Sequence, residues 1–204
     1  MPKRKPPMET TEIKGGVLEY IDETHTYLYD GVVLPSITQI LKAKFGNKYN
    51  GIPKDTLQRA SEQGTAVHKA IEDYEIYGID SPLPELRNYK FLKKAYGFDC
   101  IDNEVPVVLF RDNKAVACGR LDLVLTEDGK IGLGDIKRTS TLDKNYLAYQ
   151  LNLYRIAYQQ CYDTQIEFLR GIHLREDVRK YVSLPINENL VSEILNEHYK
   201  ENDK

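Results

Sequence analysis

Cysteine is scarce in this chain: Cys100, Cys118 and Cys161 are widely spaced and odd in number. That pattern matches neither a disulfide framework nor a zinc or iron–sulfur spacing, and it fits a reducing, cytoplasmic setting. Long apolar runs are missing, so nothing reads as a membrane span, and there is no signal-peptide pattern. An excess of positive charge is missing too. The net charge of −3 gives no global basic field, so a polyanionic partner must be attracted by local clusters or by metal ions.

What the chain does have is ordinary bulk: 204 residues, 41% of them hydrophobic, enough for one domain with a real core. Its first residues, Met1-Pro2-Lys3-Arg4-Lys5-Pro6-Pro7, are basic and proline-rich. Residues 1–14 therefore read as a mobile basic arm ahead of a single domain over 15–204.

Residues 17–33 alternate around Asp30-Gly31 and predict a β-hairpin. Ser36 is a candidate N-cap for a helix to about Phe45. A longer helix is expected from Asp55 to Tyr77, with Leu57, Ala60, Gly64, Val67, Ile71 and Tyr74 as its apolar stripe. Gly64 inside that stripe suggests close packing, and Gly78 ends the helix. A helix over 85–96, strands near 103–110, 115–126 and 130–138, and a helix over 144–162 follow. A second hairpin (166–174 and 180–184) and a helix over 187–200 close the chain. The order implies an α/β (α+β) fold, with one mixed central sheet flanked by helices and an N-terminal hairpin.

The strands Gly119–Leu125 and Ile131–Lys137 carry an electrostatic oddity. If Asp128-Gly129 forms the two-residue turn between them, Glu127 faces Lys130, Asp122 faces Asp135, and Arg120 faces Lys137. Asp122, Asp135, Arg120 and Lys137 all lie on one face of the ribbon. Two carboxylates directly opposite one another would sit roughly 5 Å apart and repel. A divalent cation between them is the simplest reason for such a face.

Arg120-Leu121-Asp122 followed by Asp135-Ile136-Lys137 resembles the PD-(D/E)XK nuclease superfamily, with Leu121 in place of the proline. Alone, so short a pattern is weak. Three features strengthen it: Gly64-Thr65-Ala66-Val67-His68 on the preceding helix, Glu104 opening the strand before Asp122, and Gln150-Leu151-Asn152-Leu153-Tyr154 on the following helix. A helical His, then Asp, then Asp-x-Lys, then Gln-x-x-x-Tyr is similar to the RecB-like branch, which includes recombination exonucleases. The stretches Tyr27–Gly31 and Leu34–Thr38 also resemble phage-borne members of this group. The resemblance spans about residues 17–185. The cluster-binding cysteines of some RecB-like members are lacking, so no iron–sulfur cluster is expected.

The resemblance implies a restriction-endonuclease-like core and phosphodiester hydrolysis with one or two Mg²⁺ or Mn²⁺ ions. It makes Asp122, Asp135 and Lys137 the catalytic set. Asp122, Asp135, the Ile136 backbone carbonyl and His68 are the implied metal ligands, with Glu104 a further candidate whose face depends on the Asp112-Asn113 loop. Lys137 would orient or deprotonate water. Gln150 and Tyr154, four apart on one helix face, would meet the substrate backbone, and Arg120, Arg138, Lys144 and Arg155 are candidates for phosphate contacts. Lys42, Lys44, Lys48 and Lys54 form another basic stretch.

Each of these has a plainer reading. His68 could simply pair with Glu72 one turn on, Tyr154 also fits the apolar stripe of its helix, and the lysine stretch suits a solvated loop. His25, His173 and His198 have no role suggested by their surroundings. The expected activity is a metal-dependent DNA nuclease, foremost an exonuclease of phage recombination type. Its partners would be DNA and a single-strand annealing or recombination protein, with oligomers open and no membrane. The alternatives are a structure- or sequence-specific endonuclease on the same core, and a non-catalytic DNA-binding or regulatory module that keeps the fold.

Overall fold

A computed structural model describes residues 8–46 and 51–202. Nine strands form two sheets: β1 (Met8–Ile13), β2 (Gly16–Ile21), β3 (Thr26–Tyr29) and β4 (Val32–Leu34) in one, and β5 (Asp99–Arg111), β6 (Lys114–Glu127), β7 (Lys130–Lys137), β8 (Phe168–Leu174) and β9 (Arg179–Leu184) in the other. The helices are α1 (Ile37–Phe45), α2 (Lys54–Tyr77), α3 (Pro84–Tyr96), α4 (Lys144–Tyr162) and α5 (Glu188–Asn202). This is the expected mixed α+β architecture. No helix among the described residues is long and apolar enough to cross a membrane.

The second sheet runs in sequence order and is antiparallel except where β8 lies parallel to β7. That parallel pair needs a crossover, and α4 supplies it. One layer of helices packs Leu147, Leu151, Leu153 and Ile194 against Leu133 and Leu169. The other packs Val67, Ile71, Leu86 and Tyr89 against Leu123, Ile136 and Ile172. Alternation along β8 divides its residues between the two layers, as period two requires.

The N-terminus departs from expectation. Residues 8–13 are not part of a mobile arm: β1 pairs with β2 from Met8↔Ile21 to Ile13↔Gly16, and Ile13 is buried beside Leu18, Val108 and Cys118. The hairpin over 17–33 thus widens into a four-stranded sheet. It is joined to the larger one through a bridge between Ser36 and Cys118, where the Cys118 N–H donates to Pro35 O at 3.0 Å. Ser36 then caps α1 as expected. Its hydroxyl accepts from the Gln39 N–H, and Gln39 returns the bond in a capping box. Gly64 is not closely packed; a Cβ built there would meet nothing within 4 Å.

Candidate metal and phosphodiester site

The turn at Asp128-Gly129 forms as the sequence implied, with both residues at positive φ (49° and 77°). From it the ladder runs Glu127↔Lys130 to Leu123↔Gly134 and then stops. Asp122 and Asp135 occupy the next row. There the Asp122 carboxylate replaces a ladder acceptor: its Oδ2 takes the Ile136 N–H at 2.7 Å. The Ile136 N–H thus binds Asp122, and this bond does not involve the Ile136 carbonyl expected as a metal ligand. The outermost expected row does not form, because Arg120 turns to Glu9 and Lys137 to Asp135.

Glu104 reaches Asp122 through a fault in the sheet. Counted inward from the Asp112-Asn113 turn, Arg111↔Lys114 and Phe110↔Ala115 would set Glu104 opposite Leu121. A bulge at Val116 shifts the count to Leu109↔Ala117, so that Asn103↔Leu123 and Val105↔Leu121 bracket Glu104 and Asp122 as the facing row. Glu104 itself has φ of +50°, a left-handed conformation that a side-chain-bearing residue adopts only under constraint. The pleat breaks at this row. Val105 and Leu121 pack toward α4, while Leu123, two residues on from Leu121, packs toward α2.

Helix α2 supplies the third member. Val67 and Ile71 are sunk in the core, which fixes the helix and brings His68 over the row of Glu104 and Asp122. His68 Nδ1 lies 3.6 Å from Glu104 Oε1 and 3.7 Å from Asp122 Oδ1. It does not pair with Glu72, which instead binds Lys69 at 3.2 Å. One ligand atom from each of His68, Glu104 and Asp122 lies within 4.8 Å of the others. The His68 side chain is 30% exposed and that of Asp122 15%. Burial opposes a charge on His68, but Asp122 and then Glu104 outweigh it and raise its pKa to about 9.

Asp135 stands beside this cluster rather than in it. Its side chain is only 3% exposed, and Oδ2 lies 2.5 Å from Lys137 Nζ. The contact is ionic more than directional, since Oδ2 has no well-angled hydrogen bond. Burial pushes Asp135 up to about 6 against the pull of Lys137, and the charge of Asp122 adds to the push. Burial opposes the charge on Lys137 as well, yet Asp135 and Asp122 hold its pKa above the usual lysine range.

The expected substrate contacts divide. Gln150 is buried and lines a cleft together with Lys137. Tyr154 does not: it is buried in the α4 core with its ring against Gly119. Arg138 is a strut, with Nε 2.8 Å from Glu85 and a terminal nitrogen 2.7 Å from Gln63. Arg120 binds Glu9 and lies over the Tyr20 ring at 5.0 Å. Arg155 is buried 3.5 Å from Glu188, and Lys44 binds Glu193 and Glu197. Lys48 lies outside the described residues.

Some contributors escaped the sequence reading. His173 is buried beside Lys137 in the parallel pair, and its Nε2–H donates to Thr139 O at 2.7 Å, fixing the loop after Lys137. Glu9, Tyr20 and Tyr27 reach the site from the N-terminal sheet, lining a cleft with Glu104 and Arg120. Only the pairing of β1 could have revealed Glu9.

No family model matches the chain, and no curated protein matches it. Among solved structures it is similar to a crystal structure of SSO0001, at 14% identity and a TM-score of 0.42, over 81% of this chain and 74% of that one.

Proposed function

We propose that this protein is a metal-dependent deoxyribonuclease with a restriction-endonuclease-like core, acting as an exonuclease of phage recombination type. The observation that carries the reading is the convergence of His68, Glu104 and Asp122 beside the Lys137–Asp135 pair. Scattered surface charges give no reason for two carboxylates and an imidazole to meet at a broken ladder. The donor set suits a hard divalent cation, and the imidazole favours Mn²⁺ beside Mg²⁺.

His68, Glu104 and Asp122 would hold the ion, with Asp135 within electrostatic reach. When bound, it would neutralise a phosphate and lower the pKa of water. The chain's own residues do the rest. Lys137, anchored on Asp135, orients a water by donating to it, and Asp135 holds the ammonium in place. Gln150 bounds the space in front of Lys137. The assignment to DNA and to recombination rests on the motif order.

Linear duplex and single-stranded DNA with Mg²⁺ or Mn²⁺, beside a covalently closed circle, provide the test. Degradation of the linear forms alone is expected, and Asp122→Ala or Lys137→Ala should reduce the rate at least a hundredfold, about 3 kcal/mol of barrier. Undiminished cleavage in those variants would overturn the assignment, and cutting of the circle would replace the exonuclease by an endonuclease.

A further inference from the structure

The centre is flanked by two clefts of opposite character. On the Glu104 side, a cleft of about 240 Å³ is lined by Glu9, Glu72 and Glu104 against Arg120 alone, which Glu9 already binds. On the Lys137 side, a larger cleft of about 460 Å³ lies between α1 and the loop joining β7 to α4. Its charged groups are Lys42, Lys137 and Asp143, and the Asp143 carboxylate accepts the Tyr146 N–H as the cap of α4. Among the described residues the first cleft offers a polyanion no cation that is free of a partner, whereas the second offers Lys42.

We propose that the cleft between α1 and the β7–α4 loop binds the nucleotide adjoining the one that is cut, with its phosphate on Lys42 and Ser140. The identity of this ligand rests on the nuclease reading; the existence of a site does not. Lys42 is exposed at the rim with no ion pair among the described residues, and Ser140 likewise makes no side-chain hydrogen bond among them. Ile52, Leu142 and the Tyr146 ring supply an apolar wall of the kind a sugar and base can cover. The volume lies within the range of ligand sites.

Two observations show that the cleft is built. Its loop is held from behind, since His173 binds the Thr139 carbonyl and the Thr139 hydroxyl donates to Thr141 O at 2.7 Å. At its base Gln150, 5% exposed, carries a buried Oε1 with no donor among the described residues. An orphaned buried acceptor is costly. A nucleotide offers what both ends of the cleft lack: phosphate oxygens for Lys42 and Ser140, and a base N–H for Gln150.

Fluorescence anisotropy of an end-labelled single strand and of its blunt duplex, with Ca²⁺ replacing Mg²⁺ to prevent turnover, tests this on the full chain. Lys42→Ala should weaken binding severalfold and lower the slope of log affinity against log salt by about one. Lys42→Glu should weaken it further, and Ser140→Ala less. In Mg²⁺, Lys42→Ala should raise KM and leave kcat unchanged. Lys90→Ala, whose lysine binds Asp80 at 3.0 Å, is the control and should behave as wild type. If the wild type binds and cleaves while both Lys42 variants match it in affinity and slope, the cleft is not on the strand's path, though the nuclease reading survives. Equal losses from Lys90→Ala and Lys42→Ala would also overturn the site, reducing it to a diffuse field. A wild type that neither binds nor cleaves DNA overturns both.

Discussion

Glu104 sets backbone strain against its place in the proposed metal site. Its left-handed backbone costs roughly 1–2 kcal/mol in any residue with a Cβ. Glu104→Gly and Glu104→Ala should both weaken Mn²⁺ binding, followed by isothermal titration. In chemical denaturation, however, the glycine variant should be the more stable by about 1 kcal/mol. Equal stability would mean that the backbone relaxes once the carboxylate is gone. His68 makes a second contribution that depends on pH. In the metal-free fold its pKa is raised from 6.5 to about 9 by Asp122 and Glu104 against the effect of burial. The stability this adds is fully present below pH 6.5 and is lost as pH rises through 9. His68→Gln should therefore narrow the thermal-stability difference between pH 6 and pH 10. A metal ligand must also be a neutral imidazole, so Mn²⁺ binding at neutral pH should release about one proton. Titration in two buffers of different ionisation enthalpy would register that proton, and in His68→Gln it should vanish.

At the scale of elements, the site depends on how α2 and β5 meet the sheet. Val67 and Ile71 hold α2 in the core, so the packing of this helix decides where His68 points. Ile71→Ala should cost about 2–5 kcal/mol and also weaken Mn²⁺ binding, although Ile71 touches no metal. Unchanged metal affinity in a destabilised variant would show that the helix is held by other contacts. Most elements were legible beforehand. The capping box at Ser36, the left-handed turn at Asp128-Gly129 and the stripe of α4 are local signals, written within a few residues. The bulge at Val116 was not, because it has no sequence signature and is the adjustment between a turn count and a buried pattern. It left the facing partner of Glu104 open until the strands were paired.

On the scale of the whole molecule, two sheets share one centre. The N-terminal sheet brings Glu9, Tyr20 and Tyr27 to the Glu104 cleft, and β1 holds its place by burying Ile13. Removing residues 1–13 should therefore lower the melting temperature by several degrees, as loss of a paired strand and a buried Ile requires. A melting temperature unaffected by the truncation would restore the mobile arm. The arginines read as phosphate contacts show the same dependence on long-range structure. Arg138 clamps Glu85 and Gln63, Arg155 meets Glu188, and Arg120 is taken by Glu9, all partners distant in sequence.

The sequence by itself determined the elements, the α+β class and the alignment of Asp122 with Asp135 across an Asp-Gly turn, because capping, turn chemistry and alternation act over a few residues. It also named every member of the cluster. Only the tertiary structure decided which of them meet: His68 and Glu104 join Asp122, and Asp135 is drawn to Lys137. That choice depends on where one ladder breaks, where another bulges and how a helix packs over both. Each of these is a balance of burial and pairing between segments that meet only once the chain has folded.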